Sequence, residues 1–392
     1  MADGGGPRLA DGEGPRRHRK APRRYDDETV SFTPQRLPKI AGRRVPGWEP
    51  RGRGCDKWTV TRKVVAIDEV LSEVEALERY KNKFVTPYER ADGTDRGILR
   101  KGWQVFNCQR GTVLELVDEG QKGDDGAPLV VARIVGGAVR SLDTSTLQSL
   151  GPEAAQIMTT DFAQKRRSGF ARGCIAHVGA RQDREKNGGS PYWGQFGQYA
   201  HRDGKEDAHE DLAAAAAFVA DAMIEADAPF NAREHEVASN CLGSRCWINL
   251  AGGPRPLTKI YPACVIGSRA GNPQHIDKRD LIGSLFTPLG DADLLFALSQ
   301  YEAYVKVRRG DVLYLNTPRV VHGACVPPAG YRGKAAFQTH LVLGLYFSKV
   351  FTNDTKAEKR ARKTPFPARL LEVAPPPSTR ANGEASRPAG PS

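Results

Sequence analysis

Residues 309–323 read RGDVLYLNTPRVVHG: a turn, a short strand, a second turn and a histidine inside another β-prone run. Gly310 and Asp311 form the first turn, Val312–Leu315 is apolar and β-prone, and Asn316 to Pro318 break it. Upstream, a β-rich run from Ile260 ends at the turn Asn272-Pro273, and His275-Ile276-Asp277 follows. In a strand alternate side chains point to the same face, so an H-x-D tripeptide sets an imidazole beside a carboxylate. A third donor from His322 on a neighbouring strand would complete a set of two histidines and one carboxylate. On Fe(II) such a set leaves three coordination positions open.

The tripeptide alone is a weak signal, because His201-Arg202-Asp203 and His209-Glu210-Asp211 match it too. His209 lies in the first turn of an alanine-rich helix, where Asp211 more simply serves the helix dipole. His201 sits in a polar loop with no strand before it. His275 alone follows a β run and a turn and has a suitable histidine downstream.

From residue 247 onward the pattern is β: Trp247–Leu250, Ile260–Ser268, Leu281–Thr287, Val305–Val307, Val312–Leu315, Val320–Val326 and Phe337–Phe347, separated by Gly, Pro, Asn and Asp. Seven short strands with such turns predict a sandwich or barrel rather than a parallel α/β sheet. Before them, Val130–Val135 reads as a strand set off by the turn Asp124-Asp125-Gly126. Ile67, Val70, Leu71, Val74 and Leu77 recur at helical spacing after Asp68. A second helix is predicted from about Asp207 to Ala226, ended by Pro229.

With 392 residues, 39% hydrophobic and 27% charged, the chain has enough material for a large core, which excludes collagen-like, fully disordered and disulfide-stapled classes. The net charge of +12 sits in the tails: residues 1–60 hold 14 Lys/Arg against 8 Asp/Glu, residues 351–392 hold 8 against 4, and the interior is near neutral. The first 54 residues, with nine glycines and seven prolines, and the Pro-rich C-terminal end read as disordered basic tails. The predicted organisation is therefore a tail over 1–60, a helix-containing region over 61–240 packing on the core, a β core over 241–350 and a tail over 351–392. No apolar run is long enough to span a bilayer and no signal peptide is evident, which predicts a soluble protein without a membrane partner. Seven scattered cysteines fit reduced thiols, and Cys241 with Cys246 reads as a pair of core or strand residues. The clusters PRRHRKAPRR and KAEKRARK would suit nuclear import. Composition sets no oligomeric state.

The ordered set H-x-D, then GDVLYL and VVHG, then Arg332 ten residues after His322, resembles the Fe(II)/2-oxoglutarate dioxygenase superfamily. Its details, Asp280 and Gly283 after the H-x-D and His340 eighteen residues after His322, resemble the TET/JBP nucleobase dioxygenases, including algal 5-methylcytosine-modifying members. The resemblance spans about residues 245–350. It implies an α+β chain with a double-stranded β-helix (jelly-roll) core and flanking helices. It also implies that His275, Asp277 and His322 bind Fe(II), that Arg332 anchors 2-oxoglutarate, and that Asp280 and His340 support the ligands or touch substrate. Ascorbate is a further expected cofactor and DNA the expected partner. Many superfamily members carry a small hydroxyl residue two positions after the arginine, where this chain has Lys334.

Each of these residues also has a plain structural reading: His275 at a strand end, Asp277 to Asp280 a solvated turn, His322 and His340 core histidines, Arg332 a surface arginine. The interleaved Tyr192-Trp193-Gly194-Gln195-Phe196-Gly197-Gln198-Tyr199 could stack a base or simply anchor a loop, and Lys165, Arg166, Arg167 and Arg172 could touch phosphates or only solvate a face. Three functions therefore compete: a dioxygenase acting on 5-methylcytosine or thymine in DNA, a dioxygenase of the same fold acting on a protein side chain or small metabolite, and a non-catalytic β-sandwich binding module.

Overall fold

The structure is a computed structural model that describes residues 28–32, 58–88, 97–139, 172–183, 192–195, 206–242, 246–250, 253–290, 292–325 and 340–349. The two tails, apart from residues 28–32 and 58–60, lie outside the described residues. In chain order the elements begin with β1 (Glu28–Phe32), β2 (Trp58–Ala66), α1 (Glu73–Tyr80), β3 (Phe84–Thr86), β4 (Gly97–Leu99), β5 (Gln104–Asn107), β6 (Thr112–Lys122), β7 (Pro128–Val135), β8 (Arg172–Asp183), β9 (Tyr192–Gln195) and α2 (Glu206–Cys241). They continue with β10 (Trp247–Leu250), β11 (Gly253–Pro256), β12 (Ala263–Gly271), β13 (Ser284–Pro288), β14 (Leu294–Leu298), β15 (Ala303–Val307), β16 (Val312–Leu315), β17 (His322–Ala324) and β18 (Leu341–Tyr346). The described residues are thus predominantly β with two helices, a jelly-roll-like composition.

One sheet has ten strands in the order β1-β2-β6-β7-β16-β13-β18-β12-β8-β9, and a second has four in the order β17-β14-β15-β5. Strands from the first half of the chain, β2, β6 and β7, continue the same sheet as β16, β13 and β18. Strand alternation sorts side chains to two cores. Leu313 and Leu315 of β16, Phe286 of β13 and Val342 of β18 meet Leu294, Phe296 and Leu298 of β14 and Val305 and Val307 of β15 between the sheets. Their neighbours Val312, Tyr314, Leu285, Leu343 and Leu345 point the other way, against Ala213, Ala216, Ala217, Ala220 and Met223 of α2. On the outer side of the small sheet, Leu295, Ala297 and Tyr304 pack on Ala76 and Tyr80 of α1. The order of layers is therefore α2, large sheet, small sheet, α1.

Each of the seven strand runs predicted after residue 247 overlaps a strand, with shifted ends: β12 and β13 begin and end later than predicted, β15 begins earlier, β17 is shorter, and residues 326 and 337–339 of two runs lie outside the described residues. A further strand, β14, was not assigned from sequence: its LLFAL is buried at every position, so it shows no alternation. Helix α1 begins four residues later than its apolar spacing predicts. Ser72 caps it with a full capping box, accepting from Glu75 N at 3.2 Å while Glu75 Oε2 accepts from Ser72 N at 2.9 Å. The preceding Val70 and Leu71 stay outside the helix, their N–H groups donating to Gln300 O. Helix α2 does not end at Pro229: it breaks at Asn231 (φ −136°, ψ 28°) and runs on to Cys241. Cys246 is buried in the α2-side core and Cys241 packs against it.

Candidate metal centre

His275 and His322 oppose each other across a single antiparallel bridge, each backbone N donating to the other's carbonyl at 2.9 Å. Opposed residues of such a pair project to the same side, and the two rings lie 4.6 Å apart. His275 is not within a regular strand. Its segment loops out between β12 and β13, strands of the large sheet, to reach β17 of the small one. Asp277 is placed by its backbone N, which donates to Thr317 O at 2.9 Å. Thr317 lies in the crossing 316–321 by which the chain leaves β16 for β17. The three side chains therefore meet where an edge of the small sheet approaches the ends of β13 and β16.

The histidine tautomers follow from their partners. Nδ1 of His275 lies 2.7 Å from Pro273 O, and Nδ1 of His322 lies 2.9 Å from Val320 O. A carbonyl can only accept, so each Nδ1 carries a hydrogen and the lone pair of a neutral ring sits on Nε2. Both Nε2 atoms face one carboxylate oxygen: Asp277 Oδ2 is 3.5 Å from His275 Nε2 and 3.6 Å from His322 Nε2. All three donor atoms fall within 4.8 Å of one another. Ligands bound at about 2.1 Å to one ion stand roughly 3–4 Å apart, so both nitrogen–oxygen separations suit a shared ion. Backbone carbonyls that fix the far ring nitrogens are the support a metal-binding histidine needs. The side chain of His322 is 4% exposed while those of His275 and Asp277 are 31% and 40% exposed, so the centre is closed behind and open in front.

Burial and the neighbouring His275 push His322 down to about 4, which keeps it neutral at pH 7. For Asp277 burial acts upward, but the imidazoles of His275 and His322 outweigh it and lower the carboxyl. For His275 burial acts downward, and the Asp277 carboxylate together with the Pro273 carbonyl overcomes it, raising the ring. Asp280 goes furthest: burial and the negative charge of Asp277 push it up to about 8, against the hydrogen bonds from Thr317 and Ser284. It is therefore chiefly a carboxylic acid at pH 7. Thr317 Oγ1 lies 3.4 Å from Asp280 Oδ2 and 3.1 Å from Ser284 Oγ.

Asp280 and His340 do not share one place. Asp280 bridges Ser348 beyond one end of β18, while His340 is buried at the other end, eight residues along, or about 25 Å in extended chain. Arg332, Lys334, Lys165 to Arg167, His201, Asp203 and the Phe196 half of the aromatic stretch lie outside the described residues. So do the side chains of Arg172, Tyr192, Trp193, His209 and Asp211. The structure adds residues that no sequence signal marked. Gln274 and Gln300, both fully buried, flank the histidine-bearing strand, Thr317 anchors Asp277, and Lys81–Lys83 pairs with Gln274.

No family model matches the chain, and no curated protein matches it. Among solved structures it is similar to NgTET1 in complex with 5mC DNA, at 13% identity and a TM-score of 0.40, over 72% of this chain and 91% of that one.

Proposed function

We propose that this chain is an Fe(II)- and 2-oxoglutarate-dependent dioxygenase with a double-stranded β-helix core, oxidising a methyl-bearing nucleobase, 5-methylcytosine or thymine, in DNA. The observation that carries the reading is the convergence of two carbonyl-oriented Nε2 lone pairs on Asp277 Oδ2. In this reading His275, Asp277 and His322 hold Fe(II), and Arg332 holds the distal carboxylate of 2-oxoglutarate with its planar fork. Bound there, Fe(II) supplies the activation of oxygen by which a C–H bond is hydroxylated while 2-oxoglutarate becomes succinate and CO2. The half-exposed front of the site admits substrate, and a base in duplex DNA has to be flipped to reach it.

The flanking basic residues support a polyanionic substrate over a small metabolite. Lys81 bridges Gln274, Lys83 O accepts from Gln274 N, Lys278 and Arg279 follow Asp277, and Lys349 N donates to Arg279 O at 2.6 Å. All five basic side chains are exposed, with Lys278 also reaching Glu73 at 2.6 Å. Exposed basic residues thus flank, by backbone pairing or in the chain, the segment that carries His275 and Asp277, which favours a substrate with backbone phosphates.

The deciding experiment incubates the purified chain with Fe(II), ascorbate and 2-oxoglutarate, with and without methylated duplex DNA, and reads nucleosides and succinate by mass spectrometry. An oxidised base that disappears in His275→Ala is expected. Succinate with no altered base would move the substrate to a protein side chain or metabolite, neither product from the wild-type chain would leave a binding module, and undiminished turnover in His275→Ala would remove His275 from the centre.

A further inference from the structure

His322 is buried, and its ring position depends on how β17 is held. β17 is an edge strand, bridged on one side by His275 and paired on the other with β14. The N–H groups on either side of His322 end on side-chain amides. Val321 N donates to Gln300 Oε1 at 2.7 Å, and Gly323 N to the carboxamide oxygen of Gln274 at 3.2 Å. The amide nitrogen of Gln274 donates in turn to Ala297 O of β14 at 3.2 Å and meets Ser299 Oγ. Gln274 also precedes His275 directly, and its backbone is tied on the far side, with N donating to Lys83 O at 2.8 Å and O accepting from Asn82 N at 3.0 Å. Gln300 O accepts from Val70 N and Leu71 N at 3.3 and 3.0 Å. Neither amide touches Asp277 or an imidazole.

We propose that Gln274 and Gln300 are positioning residues that set the separation of the two imidazoles and hence the affinity of the centre for its metal, an inference that rests on the metal-site reading above. The physical reason is that two N–H groups beside a buried ligand have to be satisfied. A carboxamide satisfies each while fixing the strand at one height, and the Gln274 amide locks β17, β14 and the His275 segment together. Partners that orient metal ligands typically contribute 10–100-fold in affinity.

The test titrates the full chain with Co(II) alone, following the dissociation constant and the visible absorption bands, with thermal melting in parallel. Gln274→Leu and Gln300→Leu are expected to weaken Co(II) at least ten-fold and to change the bands. The control Thr287→Val removes an equally buried hydrogen bond, Thr287 Oγ1 to Asp311 O at 2.7 Å, and is expected to lower the melting temperature while keeping the wild-type constant. Should Gln274→Leu fail to fold, Gln274→Glu replaces it, keeping an acceptor for Gly323 N but losing the donor to Ala297 O. Wild-type affinity in the glutamine variants overturns the proposal, as does an equal weakening in Thr287→Val. Failure of the wild-type chain itself to bind Co(II) overturns the metal-site reading and the inference with it.

Discussion

A Cβ placed on Gly323 would lie 2.5 Å from the carboxamide end of Gln274 and 2.6 Å from Asn272 O. The backbone that carries His275 thus runs against the residue following His322, and only a residue without a side chain allows that approach. Gly323→Ala is expected to push the Asn272–His275 segment outward, lowering unfolding free energy by about 1–3 kcal/mol and weakening Co(II) binding, both read on one sample by denaturant titration and metal titration. Retention of both would mean that the segment yields freely. At this scale His275, Asp277 and His322 were legible because donor types and spacing are themselves sequence properties. Thr317, Gln274 and Gln300 were not, because their roles depend on segments far apart in the chain meeting in space.

Apolar spacing marked the first helix and an alanine-rich run the second, yet their ends were decided by other chemistry. Helix α1 starts where Ser72 and Glu75 can cap each other, and the apolar Ile67 and Leu71 before it are buried from outside the helix instead. Ser72→Ala is expected to cost about 1 kcal/mol, a fall of about 2 °C in melting temperature for a domain of this size, measured by calorimetry. No change would place the start of α1 under the control of its packing on β14 alone. Helix α2 continues past Pro229, anchored beyond its break by one face: Ala238 enters the core, and Glu234 accepts from Tyr314 OH at 3.0 Å. β14 escaped notice for the opposite reason, since burial on both faces erases the alternation that betrays a strand.

Across the molecule, α2 is locked to the large sheet by charge as well as by alanines. Arg133 donates to Glu115 Oε1 at 2.6 Å, to Asp227 Oδ1 at 2.9 Å and to Phe230 O at 3.2 Å, while His235 Nε2 stands 3.1 Å from Asp227 Oδ2. Burial alone would raise the Asp227 carboxyl, but Arg133 and His235 overcome it and hold it below its ordinary 3.8. As pH falls the unfolded chain therefore takes up this proton first. The stabilisation is complete above the ordinary carboxylate value and is lost as pH drops through the folded one. Asp227→Asn is expected to cost about 3 kcal/mol at pH 7 and to flatten the loss of stability below pH 4, seen by denaturant titration across pH; an unchanged acid limb would remove Asp227 from that role. The flanking basic charge makes a separate prediction. Affinity for duplex DNA should fall with salt, and replacing Lys83 and Arg279 with alanine together should reduce the log–log slope by about 2. An unaltered slope would place phosphate contacts elsewhere on the chain.

The sequence by itself determined the donor set, the β character of residues 247–347 and the existence of both helices, because residue chemistry and periodicity are local and survive without a fold. Tertiary structure alone decided that the H-x-D segment leaves the large sheet to pair with the small one, that two buried glutamines brace His322 and that burial beside Asp277 raises the Asp280 carboxyl. Each of these depends on groups distant in the chain sharing one low-dielectric place, where burial and proximity set protonation and position together.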